Sequence, residues 1–255
     1  MPCKTDEKGY VRYPADNLVD GVYLEQFEAG LREGAGEELR MKFCACHSSA
    51  ALAVNCFAWF KHPDRLPYLT LLGSQGANDL RFESRLPIFR GGTPPNIDVW
   101  IERDGEIIAI ESKLTEYLLE KQAKFSKAYD RLTPPGQSEL CWWTVYQQAK
   151  KGKPQHLDIA QLVKHYLGLW TYKQKMKPPK PVHFLYIFWE PQDWEKIEVC
   201  RQHRQECAEL AQATEESHIP FQWLTYRDLW QQWLKVPALA QHAKDLIARY
   251  DVSVT

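Results

Sequence analysis

Apolar and polar residues alternate along Asn96 to Glu102 and again along Glu106 to Lys113, the period-two pattern of strands with unlike faces. Between the two runs stands Arg103-Asp104-Gly105-Glu106, and Asp-Gly is a preferred pair for a two-residue type I′ hairpin loop. The register follows by counting. With Asp104 and Gly105 in the loop, Arg103 faces Glu106, partner numbers sum to 209, and Asp98 stands directly opposite Glu111. Ile97, Val99, Ile101, Ile108 and Ile110 form an apolar side suited to packing on a helix. The other side is read as polar, with Lys113 on the same face as Glu111 and paired with Asn96, diagonal to Asp98.

The pattern on either side predicts the remaining elements. Gly34 to Phe60 reads as one broken helix or two, with Ser48 and Ser49 as internal caps, and Pro63 to Pro95 as a strand and loops. A Lys-rich helix is expected from about Glu116 to Asp130, then helices near Cys141 to Lys150 and Leu157 to Trp170. The last shows Ile159, Ala160, Val163, Tyr166, Leu167 and Trp170 along one side, a stripe for packing on a sheet. Val182 to Trp189 is apolar at nearly every position, as in a strand covered on both faces, and should sit mid-sheet. A helix from Trp194 to Glu216, an extended piece at Phe221 to Leu224 and closing helices to Tyr250 complete the chain. The expected fold class is α/β, a sandwich around a mixed sheet. One domain spans residues 1–255, with a core over about 34–190 and a helical elaboration over about 191–255.

Composition narrows the function classes. Hydrophobic residues at 44% and aromatics at 13% exclude disorder. Thirty-two basic against thirty-three acidic residues leave a net charge of -1, so any nucleic-acid contact must use local patches. Seven cysteines, an odd number, and an opening without a signal peptide fit a reducing cytoplasm. The longest apolar stretch, around Val182 to Trp189, is too short to span a bilayer as a helix.

The hairpin carries the chemistry. Directly opposed side chains have Cβ atoms roughly 4.5 to 5.5 Å apart, where like charges repel. A divalent cation offsets that repulsion, and Mg²⁺ takes one or two carboxylates while keeping several waters. Asp98 and Glu111 are therefore candidate metal ligands, and Lys113 a candidate for orienting the attacking water in phosphodiester hydrolysis.

Asn96-Ile97-Asp98 followed by Glu111-Ser112-Lys113, with Pro95 just ahead, resembles the D-x(n)-(D/E)-x-K signature of the PD-(D/E)XK, restriction endonuclease-like nuclease superfamily. The resemblance covers Gly34 to Trp189 and implies an αβββαβ core with a one- or two-metal nuclease site. Gly34-Ala35-Gly36-Glu37-Glu38-Leu39 and Ser48 to Asn55 are similar to the opening helix of a bacterial branch of restriction endonucleases with Glu before Leu. That similarity implies Glu38 as the helix carboxylate approaching the metal or its waters. Glu37 is its rival, and a solvated first turn is the plain alternative for both. Glu83 is a further candidate ligand, with an exposed strand residue as the plainer reading. Gln161, on the helix after the lysine, is similar to a glutamine that superfamily exonucleases follow with Tyr four positions later. Here Tyr166 comes five positions later, on the apolar stripe, and His165 takes the fourth place.

Other clusters have ordinary readings alongside functional ones. Trp142, Trp143 and Tyr146 with Lys150, Lys151 and Lys153 would make a stacking surface beside a basic strip, or core and a solvated helix end. Lys121, Lys124 and Lys127 would be a second basic stripe near the site. Thr115 and Glu116 either support the site or open the next helix. Cys44, Cys46 and His47, and Cys200, His203 and Cys207, match no four-ligand zinc spacing and read as packing residues. Gly91 to Pro95 reads as a turn, and a Walker or dinucleotide glycine loop is absent from the sequence. The leading expectation is a Mg²⁺-dependent DNA hydrolase, with Mn²⁺ as substitute, DNA as partner and a homodimer left open. The alternatives are a catalytically inactive nuclease-fold binding or scaffold module, and an unrelated enzyme whose hairpin imitates the motif.

Overall fold

The computed structural model describes residues 5–35, 42–87, 94–127, 129 and 139–254. Helices α1 (Glu28–Ala35) and α2 (Ser49–Phe57) come first, followed by a small hairpin of β1 (Thr70–Leu71) and β2 (Ser74–Gln75). The central sheet holds β3 (Asp79–Arg85), β4 (Asn96–Glu102), β5 (Ile107–Lys113), β6 (Val182–Phe188) and β7 (Phe221–Thr225), side by side in that order. The first three strands are mutually antiparallel, and β5, β6 and β7 are parallel. Parallel neighbours need a crossover. Helices α3 (Leu140–Lys151) and α4 (Ile159–Lys175) fill the first, and α5 (Glu198–Ala213) the second, while α6 (Tyr226–Leu234) and α7 (Ala240–Tyr250) close the chain. The result is a mixed five-stranded sheet flanked by helices. Among the described residues no helix is long and apolar enough to cross a membrane.

Local chemistry explains the element ends. The Ser48, Asp158 and Thr225 side chains each accept a backbone N–H in the first turn of α2, α4 and α6, satisfying donors the helix leaves free. Apart from His183, strand β6 is built of apolar and aromatic residues, as suits a strand with both faces covered. Leu185 and Ile187 join one hydrophobic cluster, while Val182, Phe184, Tyr186 and Phe188 join the other. The C-terminal stretch is built into this architecture at the sheet edge and in the core. It supplies β7, and Tyr226, Trp230, Trp233 and Leu246 pack in the cluster that holds Val99 and Ile110.

Three local expectations are corrected. Within 34–60, α1 starts earlier than predicted and α2 begins only at Ser49. Residues 42–48 run as turns because Asn17 binds the Phe43 and Ala45 carbonyls and Tyr10 bridges to Ala45. Among the described residues after β5 the Lys-rich helix does not form: a 3-10 turn at Glu116–Leu118 gives way to irregular chain that bridges Lys121 to Gln155. Burial of Tyr117 against His203, with ring centroids 4.1 Å apart, overrides the helix propensity there. The face that carries Glu111 is not polar. Trp100, Ile107 and Ala109 lie in the core beneath α3, α4 and α5, and Ile97 packs with them rather than with Val99 and Ile101.

Candidate active site

The counted hairpin register is the observed one: Val99 pairs Ile110, Trp100 pairs Ala109 and Ile101 pairs Ile108, each pair summing to 209. The ladder ends at Val99 and Ile110. One step further on, the Asp98 carboxylate accepts the Ser112 N–H at 2.6 Å, a side chain standing where a backbone carbonyl would otherwise serve. On the other flank of β4, Phe82 pairs Val99 and Ser84 pairs Ile97, which puts Glu83 opposite Asp98. Glu83 has φ 49, a left-handed conformation that costs a non-glycine residue about 1–2 kcal/mol. Leu80 and Phe82 pack on the α2 side of the sheet, whereas Leu86 and Ile97 pack on the α4 side. Strands β3 and β4 thus reverse their facing together, at the level of Glu83 and Asp98. Glu83, Asp98 and Glu111 form one row across three strands.

Glu111 is fully buried. Lys113 Nζ donates to its Oε1 at 2.5 Å, and His165 Nδ1 of α4 lies 3.1 Å from its Oε2. The second contact is an ion-pair distance without hydrogen-bond alignment, so both Oε2 and Nδ1 are buried polar atoms with no hydrogen bond. Burial pushes the Glu111 carboxyl up, but Lys113 and then His165 outweigh it and hold the group down at about 2. Burial also works against the Lys113 ammonium, which Glu111 and Asp98 nevertheless keep charged, above the usual lysine range. Asp98 goes the other way. Loss of water around it, then the Glu111 and Glu83 charges, raise its carboxyl well above the ordinary range despite Lys113 and the Ser112 N–H. Three acids crowd one cation.

A hard divalent ion suits this arrangement chemically. The Asp98 carboxyl is under anionic pressure, and a buried Glu111 oxygen has no hydrogen-bond partner. Among the described residues no cluster of three or more His, Cys, Asp or Glu side chains is assembled for a metal. Two carboxylates with water would make an all-oxygen donor set, the kind a hard cation takes and zinc does not favour. Ser112 points to the opposite face, where its hydroxyl lies 2.6 Å from the Tyr226 hydroxyl, so the C-terminal helices anchor the strand that bears Glu111 and Lys113. Glu116 accepts the Leu114 and Thr115 N–H groups at 2.8 and 3.0 Å, capping the chain just beyond Lys113.

The remaining predicted residues separate clearly. Glu38 and Glu37 lie outside the described residues. Gln161 stands one turn before His165 on the same side of α4, its N–H held by Asp158 at 3.0 Å. Tyr166 belongs to the core: its hydroxyl donates to Glu139 at 2.6 Å, and its ring stacks on Trp142 at 4.5 Å. Trp142 and Tyr146 are buried, the first donating to the Ile219 carbonyl and the second to the Tyr129 carbonyl, so these two rings are core, as in the plainer of the two readings. Lys150, Lys151 and Lys153 are exposed at and just beyond the end of α3, where the helix dipole favours cations. Lys121 lies 3.4 Å from Asp158, Lys124 is exposed on irregular chain and Lys127 is exposed in a 3-10 turn. Cys200, His203 and Cys207 are core residues: the Tyr117 hydroxyl lies 3.7 Å from the Cys200 thiol, and the Tyr186 hydroxyl lies 3.0 Å from His203. Sequence reasoning did not assign His165 a role, although its place four residues after Gln161 was a signal.

The family model described as Restriction Endonuclease associating with ARP matches residues 3–251. The chain belongs to that family. The match reaches past β7 to the end of α7, so in this restriction endonuclease family the C-terminal strand and helices are part of the shared unit. No curated protein and no solved structure matched the chain.

Proposed function

We propose that the chain is a Mg²⁺-dependent DNA hydrolase of the PD-(D/E)XK type, with Asp98 and Glu111 as metal ligands and Mn²⁺ as a working substitute. The observation that carries the reading is the row of Glu83, Asp98 and Glu111, with Lys113 2.5 Å from Glu111. Membership in a restriction endonuclease family supports the same reaction class. A bound divalent ion would supply charge neutralisation at the phosphoryl oxygens and a more acidic water. Glu111, held ionised by Lys113 and His165, stays ready to bind cation near neutral pH. Asp98 gives up its raised proton tendency once positive charge arrives between the acids. Lys113 donates to the water or to the developing charge on the phosphoryl group. Gln161 is placed to orient a water from α4, and Glu38 is the proposed helix carboxylate. Exposed Lys121, Lys124, Lys150 and Lys151 are proposed contacts to the DNA backbone.

The test is nicking of supercoiled plasmid with Mg²⁺, Mn²⁺ or EDTA. Wild type is expected to nick only with metal, and D98A and K113A to lose activity with melting temperatures within a few degrees of wild type. Equal nicking by all three proteins would refute the reading. The ion pair between Lys113 and Glu111 also fits an inactive binding module, since it neutralises Glu111 without a metal. That reading predicts DNA binding unaffected by Mg²⁺ and no calorimetric heat on adding Mn²⁺.

A further inference from the structure

The geometry points to His165 as the residue that orients the Glu111 carboxylate for metal binding, a positioning role that rests on the hydrolase reading above. His165 is 2% exposed on a helix face otherwise made of Leu162, Tyr166 and Leu169, and its ring meets the edge of Phe184 at 6.1 Å. A polar ring in such surroundings is costly unless a partner compensates it. Its partner is Glu111 Oε2, 3.1 Å away.

Glu111 is gripped from two elements. Lys113 takes Oε1 from the same strand, two residues on, and that local contact leaves the carboxylate free to turn about its long axis with the lysine following. His165 comes from α4 and so fixes the second oxygen against a separate rigid body. The seat of α4 is itself tight. A Cβ on Gly168 would come within 2.8 Å of Leu86 Cβ, so the glycine lets the helix close onto β3 and sets how far His165 reaches. With His165 3.1 Å from Oε2 and Lys113 on Oε1, the carboxylate would keep one orientation toward an incoming cation. Tyr166, one position on, is committed to Glu139 and cannot take this role. The fourth position after Gln161, where superfamily exonucleases resembling this chain carry Tyr, thus holds the side chain that touches the site.

Outer partners of metal ligands typically change metal affinity 10- to 100-fold when removed. Mn²⁺ titration calorimetry on the full chain, with thermal melting of each variant, tests the role. H165L is expected to weaken Mn²⁺ binding about tenfold or more with the DNA KM unchanged. H165Q, whose amide can still donate to Oε2, is expected to recover most of the affinity. D98A separates the two layers of the argument. Mn²⁺ binding that survives D98A defeats the hydrolase reading itself, whereas loss in D98A with wild-type affinity in H165L defeats only the His165 role. Should H165L fail to fold, the wild type supplies the readout: Mg²⁺ addition is expected to shift the His165 ring ¹⁵N resonances along the calorimetric saturation curve. Resonances that stay still overturn the proposal.

Discussion

Replacing Asp98 by Asn should leave the metal-free protein as stable as wild type or slightly more so, while abolishing its response to Mg²⁺. The amide oxygen of Asn still accepts the Ser112 N–H, so the local hydrogen bond at the end of the ladder survives. What disappears is one of three acids in a row. Two full charges about 5 Å apart at an effective dielectric near 20 repel by about 3 kcal/mol. Lys113 offsets part of this, and the raised Asp98 carboxyl relieves more by leaning toward its protonated form. The net gain expected from D98N in EDTA is therefore about 1 kcal/mol. Mg²⁺ acts in the opposite sense. A ligand present at ten times its dissociation constant stabilises the folded chain by about 1.4 kcal/mol, a gain that wild type should show and D98N should lack. Urea unfolding of both proteins at pH 7, in EDTA and at saturating Mg²⁺, gives the four free energies. A D98N protein less stable than wild type in EDTA by more than about 1 kcal/mol, together with equal Mg²⁺ stabilisation of both, would refute the argument.

Three further outcomes are expected. Burial, then the nearby His156 and Arg204, holds the His203 imidazole down at about 3 in the folded chain. The unfolded chain protonates near 6.5, so stability is full above that value and falls as pH drops toward 3. H203F, which keeps the stack on Tyr117, should lessen the stability loss between pH 6.5 and 4.5 by up to about 2–3 kcal/mol, and urea midpoints with the same pH slope as wild type would contradict this. G168A should destabilise by about 1–3 kcal/mol because its methyl meets Leu86. Adding L86A should recover part of that loss, which a double-mutant cycle reads directly. K150A/K151A should leave the melting temperature unchanged and lower the slope of log affinity against log salt for DNA by about 1–2; an unchanged slope removes these lysines from the interface.

What the sequence determined by itself is what short-range chemistry decides. An Asp-Gly turn and the alternation beside it set the β4–β5 register from Val99–Ile110 to Glu102–Ile107 without reference to any other part of the chain. A run apolar at nearly every position is expected to be a strand covered on both faces, and β6 is one. Both ends of α3 and the start of α4 were legible to within a few residues for the same local reasons. Only the tertiary structure decided that the face of Glu111 is roofed by α4, that Glu83 adopts φ 49 where β3 meets Asp98, and that Tyr117 is drawn onto His203 in place of a Lys-rich helix. It also decided that His165 meets Glu111. Each of these depends on groups distant in the chain, and periodicity reports which positions are buried without reporting what buries them. Glu111, which looked solvent-facing from alternation alone, is in fact enclosed, while Asp98 and Glu83 stay half-buried, because helices laid over both faces of the sheet remove water from positions that the local pattern leaves open.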